Sequence, residues 1–272
     1  ENLSKTTHKT YTPPSTIDSK AVSAVVDLMQ RAKRPIIYSG GGIINSGPKA
    51  SKLLQKFVQK TNMPITSTLM GLGAYPGSGD NWLGMLGMHG TYEANMVMHE
   101  ADLIMAIGAR FDDRITNNPN KFGLQAKKIH IDSDPSSIDK IIDVDVAMTG
   151  NAKKVISQIN KELKAMNFDN KKFDGWMKKA MQWRAEHGLN HNMLDQKNPG
   201  DIILPQQVIQ SAYKATDGKA FVTSDVGQHQ MFAAQYYHFN EPRKWINSGG
   251  LGTMGFGLPA AMGVKFAFPD ET

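Results

Sequence analysis

Behind the apolar run IIYS the sequence places Gly40, Gly41 and Gly42 in succession. Three glycines after a strand let backbone approach an anion closely, and the amides that open a following helix suit a pyrophosphate. Other apolar runs end on residues of similar promise: Thr68 and Leu69 after PITS, Gly108, Ala109 and Arg110 after ADLIMAI, and Asp132 and Ser133 after KKIHI. In an open parallel sheet ligands sit beyond the carboxyl ends of the strands, and an acid placed there can accept from ribose hydroxyls. Together these residues describe a crevice for an extended dinucleotide. GMLGMHGT sets His89 among glycines, which points to an exposed loop approaching a ligand and not to a packed core histidine. In GARFDDR, Arg110 and Arg114 flank Asp112 and Asp113. That is either a local salt-bridged turn or an arginine held by its neighbours to grip a carboxylate or phosphate.

A second glycine-rich stretch, GGLGTMGFGLPAAMG, carries Gly250, Gly252 and Gly255 in the Gly-x-Gly-x-x-Gly spacing of a dinucleotide-binding turn. Neither a second strand nor a ribose-binding acid follows it, so the spacing alone does not make a nicotinamide site. His187 and His191 are spaced like metal ligands, but no third ligand lies near them and no metal is expected there.

The elements that must hold these residues alternate. Val22, Val25, Val26 and Met29 recur at helical intervals, IIYS reads as a strand, Pro48 opens a helix carrying Leu53, Leu54, Phe57 and Val58, and PITST reads as a strand again. Apolar strands between amphipathic helices predict an α/β fold with a doubly wound parallel sheet over residues 1–165. Residues 166–200 read as a polar connector with one helix, its Trp176 and Trp183 turned inward. A second alternating pattern fills 201–272: helix PQQVIQSAYKA, strand KAFVTSD, a helix in GQHQMFAAQYY, a strand near KWINS and the glycine turn leading into GLPAAMGVKFAF. It reads as a truncated domain, and a start without Met or a signal-like apolar core reads as a piece of a longer chain.

The 272 residues are 40% hydrophobic and 21% charged, the composition of a globular protein. No run of uncharged apolar residues is long enough to span a membrane. The net charge of +6 is scattered, and the densest basic stretch has helical spacing, so a nucleic-acid surface is not expected. With no cysteine, disulfides, thiolate nucleophiles and Cys-ligated zinc are excluded, which fits a reducing, cytoplasmic setting.

RPIIYSGGGI, GMLGMHGT, GARFDDR, SDVGQHQMFAAQ and SGGLGTMGFGLPAA resemble the catalytic subunits of the acetolactate synthase family of thiamine diphosphate enzymes. The resemblance implies a middle domain that binds FAD, followed by part of a thiamine diphosphate domain. Gly40, Gly41 and Gly42 would face the FAD pyrophosphate with Arg110 nearby. Thr68, Leu69, Leu86, Gly87, Met88, His89, Gly108, Ala109 and Asp112 would line the cofactor, and Asp132 and Ser133 would hold its adenosine end. Where the family has Gly-Asp-Ala, this chain reads Gly150-Asn151-Ala152, an uncharged substitute that bears on FAD affinity. The second glycine stretch would lie over thiamine diphosphate, with Met254 wedged beneath it and Gly252 in the turn. Val226, Gly227, Gln228 and His229 would meet the diphosphate.

The implied reaction joins pyruvate, with loss of CO2, to a second pyruvate or to 2-ketobutyrate for branched-chain amino acid synthesis, FAD doing no net redox work. Arg114 would recognise the second keto acid. The ligands of Mg2+ and the activating glutamate would lie outside this chain, which alone is expected to be inactive. The parent would be a homodimer or larger, with a regulatory small subunit as a possible partner. The alternatives are a stand-alone FAD or nucleotide module and a pyruvate oxidase-like flavin enzyme.

Overall fold

The computed structural model describes residues 16–198, 200 and 202–272. Along the chain run α1 (Ser19–Arg31), β1 (Pro35–Ser39), α2 (Gly41–Asn45), α3 (Pro48–Thr61), β2 (Ile65–Ser67), β3 (Trp82–Met85), α4 (Tyr92–Glu100) and β4 (Leu103–Ile107). They continue with α5 (Asp113–Thr116), β5 (Lys127–Asp132), β6 (Val146–Thr149), α6 (Ala152–Ala165) and α7 (Asp174–His187). The remainder holds α8 (Pro205–Ala215), β7 (Val222–Ser224), α9 (Gln228–Tyr236), β8 (Trp245–Asn247) and α10 (Gly257–Ala267).

The first six strands form one sheet in the order β3-β2-β1-β4-β5-β6, every pair parallel. This is the doubly wound α/β sheet that the alternating pattern predicts. Every residue of β1 and β4 is buried, which is why both read as unbroken apolar runs. Successive side chains point to opposite faces. Ile37 joins α1, α3 and α6 through Val22, Leu54, Phe57 and Ile156, whereas Ile36 and Tyr38 join Ala94 and Val97 of α4 and Trp176 and Met177 of α7. The connector helix α7 thus covers part of the first sheet, with Trp176 Nε1 donating to Pro35 O at 2.9 Å. Trp176 also meets Trp183 edge to face, with ring centroids 5.9 Å apart.

Part of GMLGMHGT departs from the loop reading. Gly84 and Met85 end the edge strand β3, whose shifted pairing with β2 and positive φ at Gly84 (+91°) break the alternation a sequence pattern needs. The elements α4, β6 and α6 complete the doubly wound unit without having been singled out in the sequence.

A second, two-stranded parallel sheet pairs β7 with β8. It docks on the β3 edge of the large sheet, where Phe239 and Trp245 join the core around Ile65 and Trp82. Backbone closes the seam, Gly77 N donating to Phe239 O at 2.9 Å. Beside it the His191 and His238 rings lie 4.9 Å apart, His238 also meeting Trp82 edge to face.

Burial, helped by His238 and Arg184, pushes the His191 imidazole down to about 4 from its ordinary 6.5. Burial also lowers His238. Between 6.5 and 4 the unfolded chain therefore binds a proton that the folded chain refuses, so stability is full above 6.5 and falls as the pH drops through that window. We predict a falling Tm over that range and a shallower fall in His191→Gln. Equal slopes in wild type and variant contradict a titrating seam.

Candidate functional site

At the carboxyl ends of β1 and β4, neighbours at the centre of the sheet, the connections part, because the chain winds outward from β1 in one direction and from β4 in the other. That is where an open α/β sheet leaves a crevice. Two glycine turns meet there backbone to backbone. Gly40 N donates to Ile107 O at 3.0 Å, Gly42 N to Gly108 O at 3.0 Å, and Gly108 N to Ile131 O at 2.7 Å. A Cβ on Gly40 would overlap the Gly108 carbonyl, and one on Gly42 would come within 2.6 Å of Gly108 Cα. Gly108 itself has φ +59°, a left-handed conformation costly for other residues.

Around this floor lie most of the residues singled out from the sequence. Thr68 N donates to Ser39 O at 2.9 Å, while its Oγ1 is buried with no partner, and Leu69 beside it is half-buried. Leu86 is buried, and Gly87 is gripped from both sides by Asn95 of α4: its N–H donates to Asn95 Oδ1 and its carbonyl accepts from Nδ2, each at 3.1 Å. Met88 stands 68% exposed, and His89, also exposed, accepts at its carbonyl from Gln235 Nε2 at 2.9 Å.

GARFDDR forms the local salt-bridged turn. Arg110 pairs with Asp112 at 3.1 Å, and Asp112 caps α5 by accepting from Arg114 N at 3.4 Å. Hydrogen bonding with the Asp113 side chain, then the Arg114 N–H and the Arg110 guanidinium, hold the Asp112 carboxyl below the usual carboxylate range against the opposing effect of burial. The exposed Arg114 side chain has no ion-pair partner among the described residues. Buried Ala109 and Phe111 anchor the segment. Between it and the loop after β5 opens a cleft of about 220 Å³ lined by Arg110, Phe111, Asp112, Ser137 and Lys140.

At that far end Asp132 Oδ1 accepts from Asp134 N at 2.9 Å, next to the exposed Ser133. The neighbouring His130 is fully buried with its Nε2 3.9 Å from the Asp132 carboxylate; burial pushes its pKa down against the opposing pull of Asp132, and the ring packs on Phe111, centroids 5.3 Å apart. Asn151 caps α6, its Oδ1 accepting from Lys153 N at 3.0 Å, with Ala152 buried behind it.

The small sheet builds a second set of loops. After β7, Asp225 Oδ1 accepts from Val226 N at 3.0 Å, and Gly227 opens α9 with no side-chain cap. The first-turn amides of Gln228 and His229 thus stand at a helix start suited to an anion. After β8 the turn is closed by Gly252 N donating to Ser248 O at 2.7 Å, and Met254 stands 79% exposed beside the 93% exposed Leu251. The turn belongs to the two-stranded sheet and not to the large one, so its spacing does not mark the dinucleotide crevice.

Met70, which the sequence reading passed over, bridges the two regions. A Cβ on Gly41 would come within 3.3 Å of Met70 Cβ, and one on Gly249 within 2.5 Å of Met70 Sδ. Asn95 and Asp225 were also missed. The signal for Asp225 was present, since it is an acid at the end of a strand, the position that singled out Asp132. His187 and His191 pack on Tyr92 and Tyr236, and no group of potential metal ligands occurs among the described residues.

Residues 22–159 match the thiamine pyrophosphate enzyme central domain, and residues 225–272 match the C-terminal TPP binding domain. The chain belongs to the thiamine pyrophosphate enzyme family. It is 50% identical over 266 residues to the acetolactate synthase large subunit of Buchnera aphidicola subsp. Schlechtendalia chinensis, covering 97% of this chain and 45% of that relative. Over 267 residues it is 48% identical to acetolactate synthase isozyme 3 large subunit of Escherichia coli (strain K12), with the same coverage of each. Against the chloroplastic acetolactate synthase of Arabidopsis thaliana it is 41% identical over 266 residues, 94% of this chain and 37% of the relative. The chain thus spans less than half the length of these relatives.

Substitutions at two positions test the geometry. Gly108→Ala combines a left-handed φ with a backbone overlap and should cost about 3 kcal/mol in chemical denaturation; a loss under about 1 kcal/mol contradicts the close approach. Asn151→Ala should cost about 1 kcal/mol and Asn151→Asp almost nothing, because either side chain caps a helix. Equal losses in the two would remove the cap reading.

Proposed function

We propose that this chain supplies the FAD-binding central domain and part of the thiamine diphosphate site of an acetolactate synthase large subunit. The observation that carries the reading is the adjacency of two glycine-built crevices bridged by Met70, in a chain about half identical to named acetolactate synthases.

The large crevice suits FAD by its shape and donors. The turn at Gly40 to Gly42, packed on the Gly108 backbone, would present its main chain to a pyrophosphate beside Arg110, and Thr68 Oγ1, after β2, is buried without a partner. The cleft between Arg110 and Lys140 would take the adenosine end with Asp132 and Ser133, and Leu86 to His89 would flank the flavin. The small-sheet loops suit thiamine diphosphate: the uncapped α9 start offers amides to the diphosphate, and exposed Met254 and Leu251 offer apolar surface to the rings. The Mg2+ that accompanies the diphosphate would be held by residues outside this chain.

Thiamine diphosphate supplies the nucleophilic carbon and the electron sink for decarboxylating a 2-keto acid. The residues of this chain bind and orient. Met254 supports the rings from a fixed turn. Arg114, with its planar fork unpaired and next to the Gly87 loop, is placed to receive the carboxylate of the second pyruvate or of 2-ketobutyrate.

Titrating the protein with FAD, with NAD and ATP as controls, should raise its Tm and change flavin fluorescence for FAD alone. A response to NAD as strong as to FAD contradicts the assignment. In the full-length protein Arg114→Ala should raise the KM for keto acid about tenfold or more, the worth of a charge-assisted pair, while leaving FAD affinity within about twofold. An unchanged KM removes Arg114 from substrate binding.

A further inference from the structure

The backbone on either side of Met254 is held by side chains from outside the segment. Thr253 N donates to Ser248 Oγ at 3.1 Å, and Gly255 N donates to Asp225, 2.7 Å from Oδ1 and 2.9 Å from Oδ2. Asp225 follows β7 directly and Gly255 lies in the turn after β8, so one carboxylate joins the two exits of the small sheet. Its Oδ1 also accepts from Val226 N at 3.0 Å, which orients the loop on which the diphosphate amides stand. A carboxylate on an exposed loop is ordinarily satisfied by water; here it faces backbone amides, and charge-assisted bonds of this kind are the stronger ones. The Gly257 backbone passes so close to Asp225 that a Cβ there would lie 2.8 Å from Asp225 N, which keeps the two segments in register. Between the pinned amides the Met254 side chain projects 79% exposed, an apolar group held out on fixed backbone.

The geometry points to Asp225 as a positioning residue for thiamine diphosphate. By binding the Gly255 amide it presets the turn from which Met254 projects, so the cofactor meets its apolar support already in place and does not spend binding free energy ordering the turn. Two backbone amides, Val226 N and Gly255 N, thus share this one carboxylate. This inference rests on the reading of residues 249–256 as the thiamine-facing turn.

The test uses the full-length protein, with wild type, Asp225→Ala, Asp225→Asn and Met254→Ala compared. Three quantities are read: amide exchange across residues 249–256 without cofactor, the Kd of thiamine diphosphate from tryptophan fluorescence, and kcat and KM for pyruvate. In wild type the Gly255 amide should exchange slowly for an exposed turn. Asp225→Ala should speed that exchange and raise the thiamine diphosphate Kd about tenfold, the worth of a charged hydrogen bond, with the pyruvate KM within about twofold. Asp225→Asn, which keeps one acceptor oxygen, should fall between. Met254→Ala should weaken thiamine diphosphate binding without changing Gly255 exchange. A Gly255 amide that exchanges in wild type as fast as an open loop overturns the inference whether or not the variants fold. So does an unchanged Kd in Asp225→Ala beside a raised one in Met254→Ala. If Met254→Ala also leaves the Kd unchanged, the thiamine assignment of the turn falls with it.

Discussion

The contact on which this architecture depends is one between two stretches of backbone, Gly40 to Gly42 after β1 and Gly108 after β4. β1 and β4 stay paired to their last residues, but the connections after them lead to opposite sides of the sheet. Here the loops touch at their main chains, tied by the bond from Gly42 N to Gly108 O at 3.0 Å. Any side chain on the contacting glycines would have to push the turns apart. The loops after β2, β3 and β5 leave the same end of the parallel sheet as this contact. Those loops are held by bonds within their own stretch of chain: Asn95 fixes Gly87, Asp112 caps α5 and draws in Arg110, and Asp134 N engages Asp132.

From that contact the arrangement extends to the second sheet through packing. Met70 lies against Gly41 on one side and Gly249 on the other. The β3 edge, which would otherwise be an open sheet edge, is covered by α9 and the residues after it, including Phe239 and Trp245 in the shared core. A displacement of the first glycine turn therefore has a short mechanical route to the second. The seam between the two sheets is aromatic and backbone-bonded.

The sequence was most legible where periodicity was strong. The burial of β1 and β4 on both faces wrote itself as apolar runs, and α1, α3 and α8 announced themselves by spacing or by a leading proline. The site residues after strand ends could be gathered because topology puts strand ends together. What escaped was structure made by one-off contacts. The edge strand β3 has a glycine at φ +91° and a shifted pairing with β2. Asn95 acts through a loop eight residues back along the chain. Asp225 reaches a glycine 30 residues away, a partner no local pattern can show. Asn151, read first as a lost charge, finds its local use as a helix cap.

The central claim is that two glycine-built crevices hold two different cofactors side by side. Its most direct test is a crystal structure of the full-length protein grown with both FAD and thiamine diphosphate. The account predicts the FAD pyrophosphate against Gly41 and Gly42 near Arg110, and the thiamine rings against Met254. A flavin bound elsewhere, or a dinucleotide seated on the turn of residues 249–255, would contradict it.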